Sequence, residues 1–525
     1  MTAAPDTKTP AAAELLSDFV EHWAEAKPNE VAIVFGDQRW TWAQWARRIR
    51  GVAAVLAAVG MRRGARIGFL DMNHPACLEV TFAAASLGVA TVVVNWRLAT
   101  DELRHVLCDS GIRLLFAGAD LLPTAAPAVD AAPCVERVIV VGGDRDEYEA
   151  LLAADPIGSP VGASAQETDT GLIMYSSGTT GRPKGVVLSQ KALVAHTANL
   201  APELPFTDSD QNLVCMPLFH VGGICYAFHG IRAGVPTIMT RQPDAASLIA
   251  GLTGGATHCF LVPPVIAGLL AAGTVGVDAV SKLTYLAYGA APMPLPLLRQ
   301  ALSALPEVNF VQVYGQTELA GGISTLAPAD HRDPDRPQLL LSAGKPMRGT
   351  EVRVVNLATG TDVPAGTQGE LWFRTEQAMT GYLDNPEATA ETITPDGWLR
   401  TGDIGRLDLS GHLYIEDRIK DMVITGGENV YGPEVERVLL QHPAITDAAV
   451  IGVPDDHWGE SVKAIVVANT TVAPDAIIAY CRDHLAGYKC PRTVDFREAL
   501  PRNASGKILK LELRKPHWEN RQRRL

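Results

Sequence analysis

Tyr175-Ser-Ser-Gly-Thr-Thr-Gly-Arg-Pro-Lys-Gly185 sets three glycines, four aliphatic hydroxyls and two cations between an apolar run and the strand-like Val186-Val-Leu188. Glycines let backbone N–H groups approach phosphate oxygens, hydroxyls add donors, and Lys184 brings a point charge for the outer phosphates. A turn of this make-up between two strand-like runs reads as a cradle for an oligophosphate at the end of a sheet. Ser176, Ser177, Gly178, Thr179, Thr180, Gly181 and Lys184 are therefore candidate nucleotide contacts. The segment lacks the Gly-x-x-x-x-Gly-Lys-Ser/Thr spacing of P-loop proteins, so it belongs to a different scaffold.

Outward from this turn, helix and strand patterns alternate. Trp42, Trp45, Ile49, Val52 and Leu56 recur at helical spacing, with Thr41 suited to the N-cap and Gly60 to the stop. Then come a short apolar run at Arg66-Ile-Gly-Phe-Leu-Asp71, a helical stretch near 78–87, and strand-like Ala90-Thr-Val-Val-Val94. Such alternation predicts α/β layers, and it continues to about residue 350. There Glu351-Val-Arg-Val-Val355 and Gly369-Glu-Leu-Trp-Phe373 read as strands with no long helix between them, which predicts a small β-rich subdomain. After Asp417 the pattern changes again. Helices over Pro433 to Gln441 and Pro474 to Leu485, with strands over Ala448 to Val453 and Val462 to Val467, predict a smaller α+β domain.

The 525 residues carry a formal net charge of −13, which offers no broad electrostatic reason to bind nucleic acid. Apolar residues make up 47% and charged residues 20%, the balance of a water-soluble globular chain. Eight cysteines form neither a CxxC pair nor a Cys/His ligand spacing, so a reducing cytoplasm fits. The first residues lack the pattern of a signal peptide, and no segment reads as membrane-spanning. Contact with a membrane surface and homo-oligomer formation both stay open. No internal repeat is visible, which sets solenoid architectures aside.

Further motifs follow the phosphate-type turn in a fixed order: Tyr288-Gly-Ala-Ala-Pro292, Val313-Tyr-Gly-Gln-Thr-Glu318, Thr401-Gly-Asp403, Glu416-Asp-Arg-Ile-Lys-Asp421, Gly426-Gly-Glu-Asn429 and Leu500-Pro-Arg-Asn-Ala-Ser-Gly-Lys507. With them, residues 30 to 510 resemble the adenylate-forming superfamily of acyl- and aryl-CoA synthetases, firefly luciferase and peptide-synthetase adenylation domains. The character is closest to fatty-acid or aryl-acid CoA ligases.

The resemblance implies an α/β large domain over residues 1–419 and a mobile α+β lid over 420–525, hinged at Lys420. It implies ATP, magnesium and coenzyme A as partners of a carboxylic acid. Gly289, Ala290 and Ala291 would flank adenine, Tyr314 and Gly315 would pack on it, Thr317 would contact phosphate, and Glu318 would hold magnesium. One carboxylate can accept from both ribose hydroxyls, which falls to Asp403, with Arg418 beside the nucleotide. Lys507 would reach in from the lid for adenylation. Gly426 and Gly427 would line the thiol channel after rotation, and His220 in Met216-Pro-Leu-Phe-His220 would gate it. Gly222, Gly223, Gly321 and Gly322 would wall the acyl pocket.

The expected activity is thus AMP-forming acid:CoA ligation, with a medium- or long-chain fatty acid as substrate. Aryl or alicyclic acids are the alternative, as is a stand-alone adenylation enzyme loading a carrier protein. A luciferase-like oxygenase would carry the same motifs. A binding-only protein fits poorly, because Lys184, Glu318, Asp403, Arg418 and Lys507 are all present.

Overall fold

Thr41 closes the first long helix as its position requires. Its Oγ1 accepts from Gln44 N at 3.3 Å while the Gln44 side chain accepts from Thr41 N at 2.9 Å, satisfying two donors that a helix start otherwise leaves open. The helix runs Trp42–Ala58, buries Trp42, Trp45, Ile49, Val52 and Leu56, and is followed by Gly60 at φ +83°. This computed structural model describes residues 13, 15–154, 165–176, 183–242, 244–503 and 506–519.

Two large sheets form the body. A nine-stranded sheet runs, edge to edge, Lys345–Pro346, Gly321–Leu326, Asn309–Gln316, Tyr285–Gly289, His258–Leu261, Asn212–Val214, Thr237–Met239, Val31–Phe35 and Gln38–Thr41. A seven-stranded sheet runs Gly381–Tyr382, Lys184–Ser189, Thr170–Ser176, Ala90–Val93, Arg66–Leu70, Leu114–Gly118 and Arg137–Val141. The helix Pro75–Ser86 is buried along its length from Pro75 to Ala85. An apolar helix of that kind belongs between layers rather than on a surface. It also accounts for the hydrophobic stretch through residues 80–94, which is core.

The expected β-rich subdomain is a four-stranded antiparallel sheet of Thr350–Val355, Gly369–Thr375, Leu399–Leu407 and Leu413–Arg418. Its last pair sets Asp403 directly opposite Arg418. Beyond it, a fourth sheet comprises Glu428–Val430, Val423–Thr425, Gly459–Ala468 and Ile445–Asp455, with Thr493–Phe496 parallel to Gly459–Ala468. Val423, Val435, Ile477 and Cys481 pack in a core of its own. Its long hairpin exceeds the apolar runs visible in the sequence. Burial ends before the ladder does, and backbone pairing continues to Asp455 opposite Gly459.

Candidate active site

The C-terminal ends of strands from both large sheets converge with the edge of the four-stranded sheet. Asn309–Gln316 delivers Tyr314, and the 3₁₀ turn Thr317–Leu319 follows at once with Thr317 and Glu318. Gly315 is dictated by packing, since an added Cβ would lie 1.8 Å from Gly321 O. Gly289 ends its strand under the same constraint, its Cβ position being 2.1 Å from Val313 O. Ala290 then takes φ +63°, a left-handed conformation that side-chain-bearing residues adopt only when their surroundings impose it. The Gly289, Ala290 and Ala291 turn is therefore held in a strained shape beside Tyr314.

Asp403 is buried and accepts from Tyr314 Oη at 2.6 Å on Oδ2, while its Oδ1 pairs with Arg418 Nε at 3.0 Å. Burial and the adjacent carboxylate hold the Tyr314 phenol well above its usual range, so it stays a donor. The Asp403 carboxylate raises the Arg418 guanidinium, with Tyr314 and Glu318 adding to the effect. Each carboxylate oxygen has two lone-pair sites, so Asp403 keeps acceptor capacity for a further partner.

Lys507 stands in the electrostatic field of Arg418 and Asp403. Burial first and the Arg418 charge second hold its ammonium down to about 8. The loop that presents it is pinned at its base, with Lys507 N donating to Asn503 Oδ1 at 2.9 Å. Gly506, at φ +78°, lies so close to Pro264 that a Cβ would come within 2.9 Å of the proline Cγ. Seven residues beyond Lys507, Arg514 donates to the Lys420 carbonyl at 2.6 Å and pairs with Asp421 at 2.8 Å, tying the C-terminal helix Lys510–Arg514 to the segment expected to pivot.

At the other end of the site, Glu318 Oε1 accepts from Tyr382 Oη at 3.0 Å, and the Lys184 ammonium lies 5.0 Å from the centre of the same ring. Ser176 and Lys184 face each other at the mouth of the antiparallel pair that bounds the phosphate-type turn. Ser177, Gly178, Thr179, Thr180 and Gly181 lie outside the described residues. No group of three or more His, Cys, Asp and Glu converges among the described residues. One carboxylate with substrate phosphates is nonetheless an ordinary ligand set for magnesium, and the Glu318 oxygens are of the right kind.

His220 precedes the helix Val221–Ala233, its ring 4.5 Å from that of Phe219. Burial, with Arg97 second, lowers its pKa to about 4, so the imidazole is neutral, and its Nε2 is buried with no partner among the described residues. Of the four glycines expected to wall the acyl pocket, three are explained by close packing. A Cβ at Gly223 would meet Pro217 O at 2.2 Å, at Gly321 the His196 Nε2 at 2.9 Å, and at Gly322 Val313 Cγ1 at 2.6 Å. At Gly222 the nearest atom would be Phe260 Cε1 at 3.1 Å, a milder crowding than at the other three. Gly426 and Gly427, at φ +60° and +86°, form the turn of the hairpin Val423–Thr425/Glu428–Val430, with Trp458 against Gly426.

Several residues of this region carry no signal in the sequence. Asn73 holds the segment before His220, donating to Met216 O at 3.0 Å and accepting from Leu218 N at 2.9 Å. Tyr382 and Arg514 likewise act through partners far away in the chain, and only a pairing pattern between distant segments would have exposed them.

The sequence matches the model described as AMP-binding enzyme over residues 20–383, and that of the AMP-binding enzyme C-terminal domain over 434–507. It is 35% identical to the fatty acid–acyl-carrier-protein ligase ScoC of Streptomyces coeruleorubidus, covering 96% of each chain. It is 37% identical to a feruloyl-CoA synthase of an Amycolatopsis species, covering 94% of this chain and 97% of that one. Among solved structures, the o-succinylbenzoate CoA synthetase of Bacillus subtilis in complex with its acyl-adenylate intermediate superposes with a TM-score of 0.81 at 29% identity, covering 94% and 97% of the two chains. No helix among the described residues is long and apolar enough to cross a membrane.

Proposed function

This chain belongs to the AMP-binding enzyme family, and from that premise we propose that it activates a carboxylic acid with ATP as the acyl-adenylate and then passes the acyl group to the thiol of coenzyme A. The observation that carries the reading is the Tyr314–Asp403–Arg418 cluster at the edge of the four-stranded sheet, with Lys507 of the C-terminal segment within its electrostatic reach.

A carboxylate and a triphosphate repel each other, so attack on the α-phosphorus needs both neutralised and held in line. Lys184 and the glycine-rich turn hold the phosphates. Glu318 would hold magnesium, which would supply charge neutralisation on the phosphate oxygens. Adenine lies against Tyr314 and the strained Ala290 turn, and the ribose hydroxyls donate to the remaining acceptor sites of Asp403. Lys507 stabilises the charge that develops as the carboxylate oxygen bonds to the α-phosphorus and the pyrophosphate oxygen leaves. In the second step the thiolate sulfur attacks the acyl carbon, a thioester forms and AMP departs. That step needs the face which Lys507 occupies, so we infer rotation of the 420–525 lid about Lys420, bringing Gly426 and Gly427 to the thiol channel with His220 as its gate.

For the acid we propose a bulky apolar body, a medium- or long-chain fatty acid being the first expectation. An aryl acid is the second expectation. Beside Gly222 lies Phe260, its ring centre 6.0 Å from that of Tyr226, and an aromatic pair of this kind would suit a ring-bearing acid. The feruloyl-CoA synthase relative supports the same reading. All eight cysteines carry free thiols, which supports a cytoplasmic setting.

The test is incubation of the purified protein with ATP, magnesium and a panel of fatty, aryl and alicyclic acids, following pyrophosphate and acyl-CoA by mass spectrometry. CoA-dependent thioester names the acid and supports the reading. Acyl-AMP that goes forward only with a carrier protein replaces CoA as acceptor, and no adenylate with any acid overturns the catalytic assignment.

A further inference from the structure

The segment Met379–Leu383 lies between the two halves of the phosphate end of the site and is bonded to both. Met379 N donates to the carbonyl of Glu318 at 2.8 Å, Thr380 N to Val187 O at 2.9 Å, and Leu383 N to Gly185 O at 2.7 Å. Within it Gly381 and Tyr382 pair with Val187 and Val186, the strand that begins at Lys184. The backbone is a splint joining the turn that bears Glu318 to the strand that bears Lys184.

Tyr382 repeats that connection with its side chain. Its hydroxyl donates to Glu318 Oε1 at 3.0 Å, and the Lys184 ammonium sits 5.0 Å from its ring centre. A cation over an aromatic face is attracted to the ring's negative quadrupole, and a carboxylate with one oxygen hydrogen-bonded is restricted in rotamer. In this contact the phenol is the donor and the Glu318 carboxylate the acceptor. Tyr382 itself is fixed from behind, its N–H donating to Thr389 Oγ1 at 2.9 Å.

We propose that Tyr382 is a positioning residue for the phosphate end of the nucleotide site, its hydroxyl setting the Glu318 carboxylate and its ring setting the Lys184 ammonium, so that both charges meet the magnesium-bound triphosphate in a fixed arrangement. The assignment rests on the reading that this site takes ATP. It gives the residue a part in the first half-reaction and none in the second, since the thiol step no longer involves the pyrophosphate oxygens.

The experiment compares full-length wild type with Tyr382→Phe, which keeps the ring, and Tyr382→Leu, which removes it. Binding of ATP is measured by calorimetry across magnesium concentrations. Adenylate formation and thioester formation from supplied acyl-adenylate are measured as separate single turnovers. Tyr382→Phe is expected to weaken magnesium-ATP binding about tenfold, the scale of one hydrogen bond to an ionised group. It should raise the magnesium concentration needed for half-maximal adenylation and leave the thioester step within about twofold of wild type. Tyr382→Leu should weaken binding by a further several-fold, roughly the worth of a partly desolvated cation–π contact. Binding by Tyr382→Phe within about twofold of wild type, or an equal loss in both half-reactions, would overturn the assignment. Because the calorimetry needs no acid, a wild type that binds magnesium-ATP but makes no adenylate counts against the activity alone.

Discussion

Asp403 and Arg418 face each other across neighbouring antiparallel strands, with Oδ1 and Nε 3.0 Å apart. The carboxylate is buried and the guanidinium half-exposed, so the pair sits at the lip of the site with its acid held by the sheet and its base free to sense a third charge. Lys507 is that charge.

Replacing Lys507 with alanine should remove adenylation and spare the thiol step. We expect the first half-reaction to fall by about 100-fold or more, in the range seen when a preorganised electrostatic donor is removed, and the thioester step from supplied acyl-adenylate to fall by no more than about threefold. Single-turnover assays of the two steps check this, and equal losses would count against the lysine's assigned place.

The pH dependence comes from the same residue. Its ammonium is held down to about 8, so the charged form to which we assign transition-state stabilisation is present below that pH and is lost as pH rises through it. Adenylation should therefore decline on the alkaline side with an apparent pKa near 8, where an unperturbed lysine would hold its charge to about 10. Lys507→Arg stays charged and should lose that limb, whatever its absolute rate.

Asp403→Asn keeps the shape of the side chain but removes the charge that pairs with Arg418 and the stronger acceptor for Tyr314. The KM for ATP is expected to rise by about tenfold or more, as for a lost charge-assisted hydrogen bond. A companion double variant with Arg418→Gln should show less than additive loss, since the two residues share one interaction.

The pocket glycines separate packing from specificity. Gly222→Ala places a methyl 3.1 Å from the edge of Phe260, which asks a shift of only a few tenths of an ångström, and should redistribute activity across an acid panel with a smaller change in melting temperature than at Gly223. Gly223→Ala drives a methyl to 2.2 Å from a backbone carbonyl and should destabilise by about 1–3 kcal/mol, as overpacking does, read as a lower melting temperature with the acid ranking unchanged.

Much of the architecture was legible because it is periodic. The Thr41-capped helix, the strands at Arg66 and Ala90 and the β-rich segment after residue 350 all stem from apolar spacing and turn residues. Asp403 and Glu318 were legible as chemistry for a different reason, since each stands in a short run that matches the motifs of the adenylate-forming superfamily. The features that stayed hidden depend on contacts between distant segments. Tyr382 sits 64 residues from Glu318 in the chain and Arg514 sits 94 from Lys420, and nothing local marks either one. The glycines were ambiguous because lacking a side chain is as useful to a neighbouring backbone as to a ligand, and only the distances at Gly223 and Gly322 decide between them.

Gly506 gives the lysine arm its length. A methyl group there would have to displace the Pro264 ring, and the backbone at φ +78° resists any residue with a Cβ. Drift at this position would draw Lys507 away from Arg418 and Asp403, and with it the burial and field that hold its ammonium down, while leaving the nucleotide surfaces of the large domain in place. Such a protein would still trap ATP and would still discharge an adenylate handed to it, yet would never make one. The first reaction would thus be expected to fall silent through the bulk of one methyl, set one residue before the lysine it positions.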